Sequence, residues 1–272
     1  MSGSMIFHDG VLLAVQALTV MLPGAGVPAW VRRLGSGIWA LVLPASLTVV
    51  VVAISLLPIV ADGLTWLALL AVPPLAAAAL GWAARGARLG FGLVAIGLLA
   101  LAWTEQASAS GQISTLALEA LSCVTLGRLL AGVAPIFWLK VGIVAMAVID
   151  VILVFSNGLD APNNALNAAI PAAGLPKLQF VEFGPMTFGY GDLFVAGVLG
   201  AMLAVEGRRQ APVAALVFVI SAIFDLLFLV TDSLPATLPV AVALLIAEAA
   251  RRRGYGWAVA APPSRGHRLP TT

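Results

Sequence analysis

Pro135 to Ser156 reads PIFWLKVGIVAMAVIDVILVFS, twenty-two residues with one lysine near the start and a single aspartate, Asp150, deep inside. A bilayer-crossing helix needs about 20 mostly apolar residues, and this stretch meets that length. An ionisable group in such a run costs several kcal/mol, so the segment announces both a transmembrane helix and a functional residue. The rest of the chain has the same character. Of its 272 residues 61% are hydrophobic and 10% charged, and the mean hydropathy is +1.07. Soluble domains carry roughly 25% charge, so a soluble enzyme, a nucleic-acid binder and a disordered chain are excluded.

The same length criterion gives nine apolar segments, at about 10–31, 37–60, 64–83, 88–104, 112–132, 135–156, 190–206, 211–231 and 235–250. The expected fold is all-α, a polytopic membrane protein of about nine transmembrane helices. Residues 1–134 form a scaffold of five helices, 135–253 hold helices six to nine with a long outer loop at 157–189, and 254–272 form a flexible cytoplasmic tail. The first ten residues contain no Lys or Arg, so a secretory signal is not expected there. Thirteen of the 14 Lys and Arg fall in or beside alternate connections, with only Lys177 on the other side. The positive-inside rule then places the N-terminus outside and the C-terminus in the cytoplasm.

One cysteine, Cys123, and two histidines at opposite ends of the chain argue against a metal centre, and no cofactor is expected. Chemistry must come from intramembrane carboxylates: Glu119, Asp150, Asp192 and Asp225. Asp225 is expected to hydrogen-bond Ser221 or a neighbouring helix, and Glu119 to pair within the bundle. Asp150 lies six residues before Ser156, roughly 9 Å below the outer end of its helix. Asp192 opens the seventh segment in Gly189-Tyr190-Gly191-Asp192. Consecutive antiparallel helices bring both aspartates to the same half of the membrane, where two facing carboxylates share one proton. A charged and a protonated carboxyl around a water can hydrolyse an amide, one as base and one as acid. Gly189 and Gly191 leave room for close backbone approach.

These features resemble the GxGD intramembrane aspartyl proteases, the family of presenilin, signal peptide peptidase and their microbial homologues. In that family the two catalytic aspartates lie in helices six and seven, the second within GxGD, and a Pro-Ala-Leu motif begins helix nine. Here the corresponding residues are Asp150, Asp192 and the run Pro235-Ala236-Thr237-Leu238-Pro239. Pro176-Lys177-Leu178-Gln179-Phe180 and the orientation are similar to the signal-peptide-peptidase branch. Three positions depart from the pattern: Ile149 precedes Asp150 in place of Tyr, Tyr190 stands where Leu is commoner, and Thr237 splits Pro-Ala-Leu.

The resemblance implies Asp150 and Asp192 as the catalytic dyad. It implies Gly189, Tyr190, Gly191, Pro235, Ala236 and Leu238 around the substrate. Single transmembrane segments of signal-peptide or type II kind would be the substrates, in a prokaryotic plasma membrane, with no nucleic-acid partner. Proline removes backbone donors, so free carbonyls are expected at residues 235–239, where an extended substrate strand could pair. The alternating residues 178–183 could supply a facing strand. Two other classes fit the same carboxylates: a prepilin-peptidase-like protease cutting at the membrane surface, and a proton-coupled transporter using Asp150, Asp192 and Asp225 as a relay.

Overall fold

The computed structural model describes residues 3–172, 174–183, 186–229 and 234–258. Asp232 and most of the expected tail, from residue 259 on, lie outside them.

A helix occupies each of the nine apolar segments. In chain order the α-helices are α1 Gly3–Met21, α2 Ala29–Arg32, α3 Val42–Leu56, α4 Ile59–Ala78, α5 Val94–Thr104 and α6 Ala109–Val133. They continue with α7 Ile136–Phe155, α8 Asp160–Ala168, α9 Tyr190–Val205, α10 Gln210–Asp225 and α11 Leu238–Arg252. Among the described residues four helical runs are long and apolar enough to cross a membrane: Gly37–Leu56, Ile59–Ala83, Ala109–Val133 and Ile136–Phe155. Large apolar side chains such as Ile59, Leu70, Ile96 and Phe155 stand mostly exposed on the outside of the bundle, as lipid-facing residues do. This is a helical membrane protein.

The first segment is shorter than expected. Helix α1 stops at Met21, two residues before Pro23, and Pro28 then heads the single turn of α2. Proline lacks the N–H that a continuing helix would use. Pro73 and Pro74 are instead absorbed inside α4, which loosens into a π-turn at Ala79–Ala83. Thr125 Oγ1 donates to Leu75 O at 2.8 Å, tying α6 to the last turn of α4.

One expectation needs correcting. The connection at 157–189 is not loop throughout, because it contains α8 and an antiparallel hairpin of β1 Phe180–Phe183 and β2 Met186–Gly189. Apart from that hairpin the bundle is all-α. The hairpin pairs Phe180 with Gly189 and Phe183 with Met186, and α9 begins at the next residue, Tyr190.

Helix α9 forms the axis of the bundle. Its residues from Leu193 to Leu203 are all buried, against α6, α1, α7, α10 and α11. The tightest contact is with α6. A Cβ built on Gly127 would lie 2.4 Å from the backbone carbon of Gly197, and one on Gly197 would lie 2.5 Å from the Cys123 carbonyl oxygen. Only glycines permit that approach, the small-residue packing that helices use inside lipid.

Candidate active site

Helix α7 contributes Asp150 five residues before its end, and it is 7% exposed. Helix α9 contributes Asp192 from its first turn. Helices α7 and α9 are in contact, and Met146, one turn before Asp150, faces Gly191, the residue before Asp192, so the two aspartates stand on adjoining stretches of the two helices. The expected juxtaposition of the sixth and seventh segments is thus present in the geometry.

The glycines flanking Tyr190 have separate tasks. A Cβ on Gly191 would meet Met146 Cε at 3.3 Å. Met146 precedes Asp150 by four residues and shares its helix face, so Gly191 lets α7 present that face to α9. A Cβ on Gly189 would lie 3.1 Å from Asp192 Oδ2, beside the carboxylate itself. The Gly189 N–H donates to that oxygen at 3.2 Å, half of a capping box at the start of α9. Tyr190 turns away from the dyad toward α6, where its hydroxyl meets Ser122 Oγ at 2.8 Å. Its place in the structure is a helix contact.

The Pro235–Pro239 run reaches the dyad through the residue that breaks the motif. Thr237 Oγ1 donates to Asp150 Oδ2 at 2.5 Å, and the Thr237 N–H points to the same oxygen at 3.4 Å. The 2.5 Å contact is in the range of a hydroxyl bound to a charged carboxylate. Oδ2 of each aspartate is thereby engaged, Asp150 by Thr237 and Asp192 by Gly189, while neither Oδ1 accepts a hydrogen bond among the described residues. Two free oxygens on neighbouring carboxyls can hold one proton and one water.

The turn does not offer the free carbonyls expected of it. Leu238 N–H donates to Pro235 O at 3.1 Å and Ala241 N–H to Thr237 O at 3.2 Å. Ala236 O accepts from Gln16 Nε2 at 3.1 Å. Gln16, 1% exposed, comes from α1, and its Oε1 in turn accepts from Ser221 Oγ at 3.3 Å. The Ser221 hydroxyl therefore donates to Gln16. Strand β1 pairs with β2 along one edge. Ala236 packs against the central core, and Pro235 is buried.

Glu119 departs from its expected role. It is fully buried, and neither carboxylate oxygen has a hydrogen-bond partner among the described residues. Arg128 is engaged elsewhere. Its guanidinium donates to the carbonyls of Ala25, Gly26 and Trp82 and lies over the Trp82 ring at 4.3 Å. Glu206 and Glu248 sit among bases, as expected of interfacial charge. Lys140 lies 2.6 Å from Glu206 and 3.0 Å from Glu248, and Arg208 bonds both carboxylates. This cluster ties the far ends of α7, α9 and α11, the three helices that carry or border the dyad.

The sequence reading missed Gln16, Met146 and Ser122, and it took Thr237 only as a departure. A glutamine within the first apolar segment was the available signal for Gln16.

A scan against protein-family models, a search of curated proteins and a search of solved structures each return no match to this chain.

Proposed function

We propose that this chain is an intramembrane aspartyl protease that hydrolyses peptide bonds within single transmembrane segments, with Asp150 and Asp192 as its dyad. The observation that carries the reading is the packing of α7 on α9 beside Asp150 and Asp192, each aspartate held by one oxygen and free at the other among the described residues. One carboxylate takes a proton from water as the water oxygen attacks the substrate carbonyl carbon. The other carboxyl gives its proton to the carbonyl oxygen. Collapse of the resulting diol breaks the C–N bond, and the amine leaves with a proton returned by the dyad. No metal or organic group is needed for these steps.

On this reading nine helices cross the bilayer, the N-terminus faces outward and the C-terminus lies in the cytoplasm. The gathering of Lys140, Arg208 and Arg251 at the ends of α7, α9 and α11 supports that orientation. Substrates are transmembrane helices of signal-peptide or type II kind, opened locally so that an amide becomes accessible.

The test is cleavage of a fluorogenic signal-peptide-like transmembrane substrate by the purified protein in detergent, beside Asp150→Ala and Asp192→Ala. Cutting inside the apolar stretch by the wild type alone is the expected result. Cutting that survives either substitution, or a folded wild type that cuts no transmembrane segment in a panel, overturns the reading.

A further inference from the structure

Resting on that reading, we propose that Thr237 is a positioning residue, whose hydroxyl locks Asp150 Oδ2 and turns Oδ1 toward Asp192. A buried carboxylate on a free helix face can rotate about its Cβ–Cγ bond, presenting either oxygen to the partner. Thr237 removes that freedom by supplying a hydroxyl at 2.5 Å and a backbone N–H at 3.4 Å, both to one oxygen.

The turn that carries Thr237 is itself fixed. Pro235, Ala236 and Thr237 each have their carbonyl oxygen engaged, by Leu238, Gln16 and Ala241 respectively. Thr237 is 2% exposed, so water does not compete for the bond. Gln16 closes the arrangement from α1 by bonding Ala236 one residue away, with Ser221 of α10 holding its other end. The turn is thus an internal brace for the dyad, with the carbonyls of residues 235–237 already engaged.

A positioning role and a substrate-contact role predict different kinetics. Loss of positioning slows the chemical step and leaves binding intact, whereas loss of a substrate contact raises KM. Thr237→Val keeps the shape and the β-branch but removes the donor, and Thr237→Ser keeps the donor. A hydrogen bond to a charged group is worth enough that Thr237→Val is expected to lower kcat roughly 10- to 100-fold, with KM within about 2-fold. Thr237→Ser is expected to recover most of that loss. A kcat within about 3-fold of wild type in Thr237→Val overturns the proposal. So does a raised KM at unchanged kcat, which would make Thr237 a substrate contact.

Stability gives a reading that does not depend on proteolysis. Thr237→Val is expected to lower the apparent Tm by about 3–6 °C in the wild type and by less than about 1 °C in Asp150→Ala, because the partner is then already gone. Equal losses in both backgrounds overturn the proposal even for a protein that cuts nothing. Cleavage lost from wild type together with an intact Tm coupling would refute the protease reading and leave the Thr237–Asp150 bond standing.

Discussion

Gly197→Ala tests whether the position of Asp192 depends on the α6–α9 crossing. The added Cβ would lie 2.5 Å from Cys123 O and 2.9 Å from the carbon of the same carbonyl. A carbon rests about 3.3–3.6 Å from a carbonyl oxygen, so the helices must separate by roughly 1 Å. The obstacle is backbone, which cannot rotate aside as a side chain would. Overpacking of this kind costs about 1–3 kcal/mol. For a chain of this size that corresponds to a fall in Tm of roughly 2–10 °C. Asp192 lies five residues before Gly197, about 7.5 Å along the helix, so the separation carries to the carboxylate. A misplacement near 1 Å is expected to slow cleavage about 100-fold. The assays are thermal unfolding in detergent and the fluorogenic cleavage rate, with Gly97→Ala as control. A Cβ on Gly97 meets nothing within 4 Å, so that variant should be neutral or gain up to about 1 kcal/mol. Gly127→Ala presses on the same gap from the other side, and its cost should not add fully to that of Gly197→Ala. A Gly197→Ala protein with unchanged Tm and rate would refute this crossing and the placement of Asp192 that follows from it.

Arg208→Met should destabilise by about 3–5 kcal/mol in thermal unfolding, since it leaves Glu206 and Glu248 with fewer partners around a side chain that is only 2% exposed. A change below 1 kcal/mol would mean that the cluster does not hold the ends of α7, α9 and α11. Glu119→Leu should raise the Tm, because it removes two buried oxygens without partners, each of which costs roughly 1–3 kcal/mol. A lower Tm would show that Glu119 has a bonded partner in the folded protein.

Helix positions were legible because hydrophobic length is a local property, and every apolar segment became a helix. The ends were less legible where proline acted in two ways, stopping α1 before Pro23 yet passing through α4 at Pro73 and Pro74. No local pattern separates the two outcomes. The two aspartates were legible too, since each is a lone charge in an apolar run. Their surroundings were not. The bonds that shape the site join Gln16 to Ala236 and Thr237 to Asp150, pairs 220 and 87 positions apart. Thr237 read as a blemish in a motif because its value lies in the hydroxyl it brings to Asp150. The expected pairing of Glu119 failed as well: both of its oxygens are buried without a hydrogen-bond partner among the described residues.

The hairpin explains how α9 can be both short and central. Sixteen residues rise about 24 Å, some 6 Å less than a typical hydrocarbon core. Non-helical backbone at membrane depth survives only if protein satisfies its polar groups. Strands β1 and β2 do so by pairing with each other, and β1 packs against α6. On the protease reading the hairpin lets α9 start below the surface, with Asp192 in its first turn. On α7, Asp150 sits roughly 9 Å inside the end at Ser156. A full-length α9 would lift its first turn toward that end and away from Asp150. The hairpin, an interruption by the measure of hydropathy, is on that reading what sets the two carboxylates at one depth.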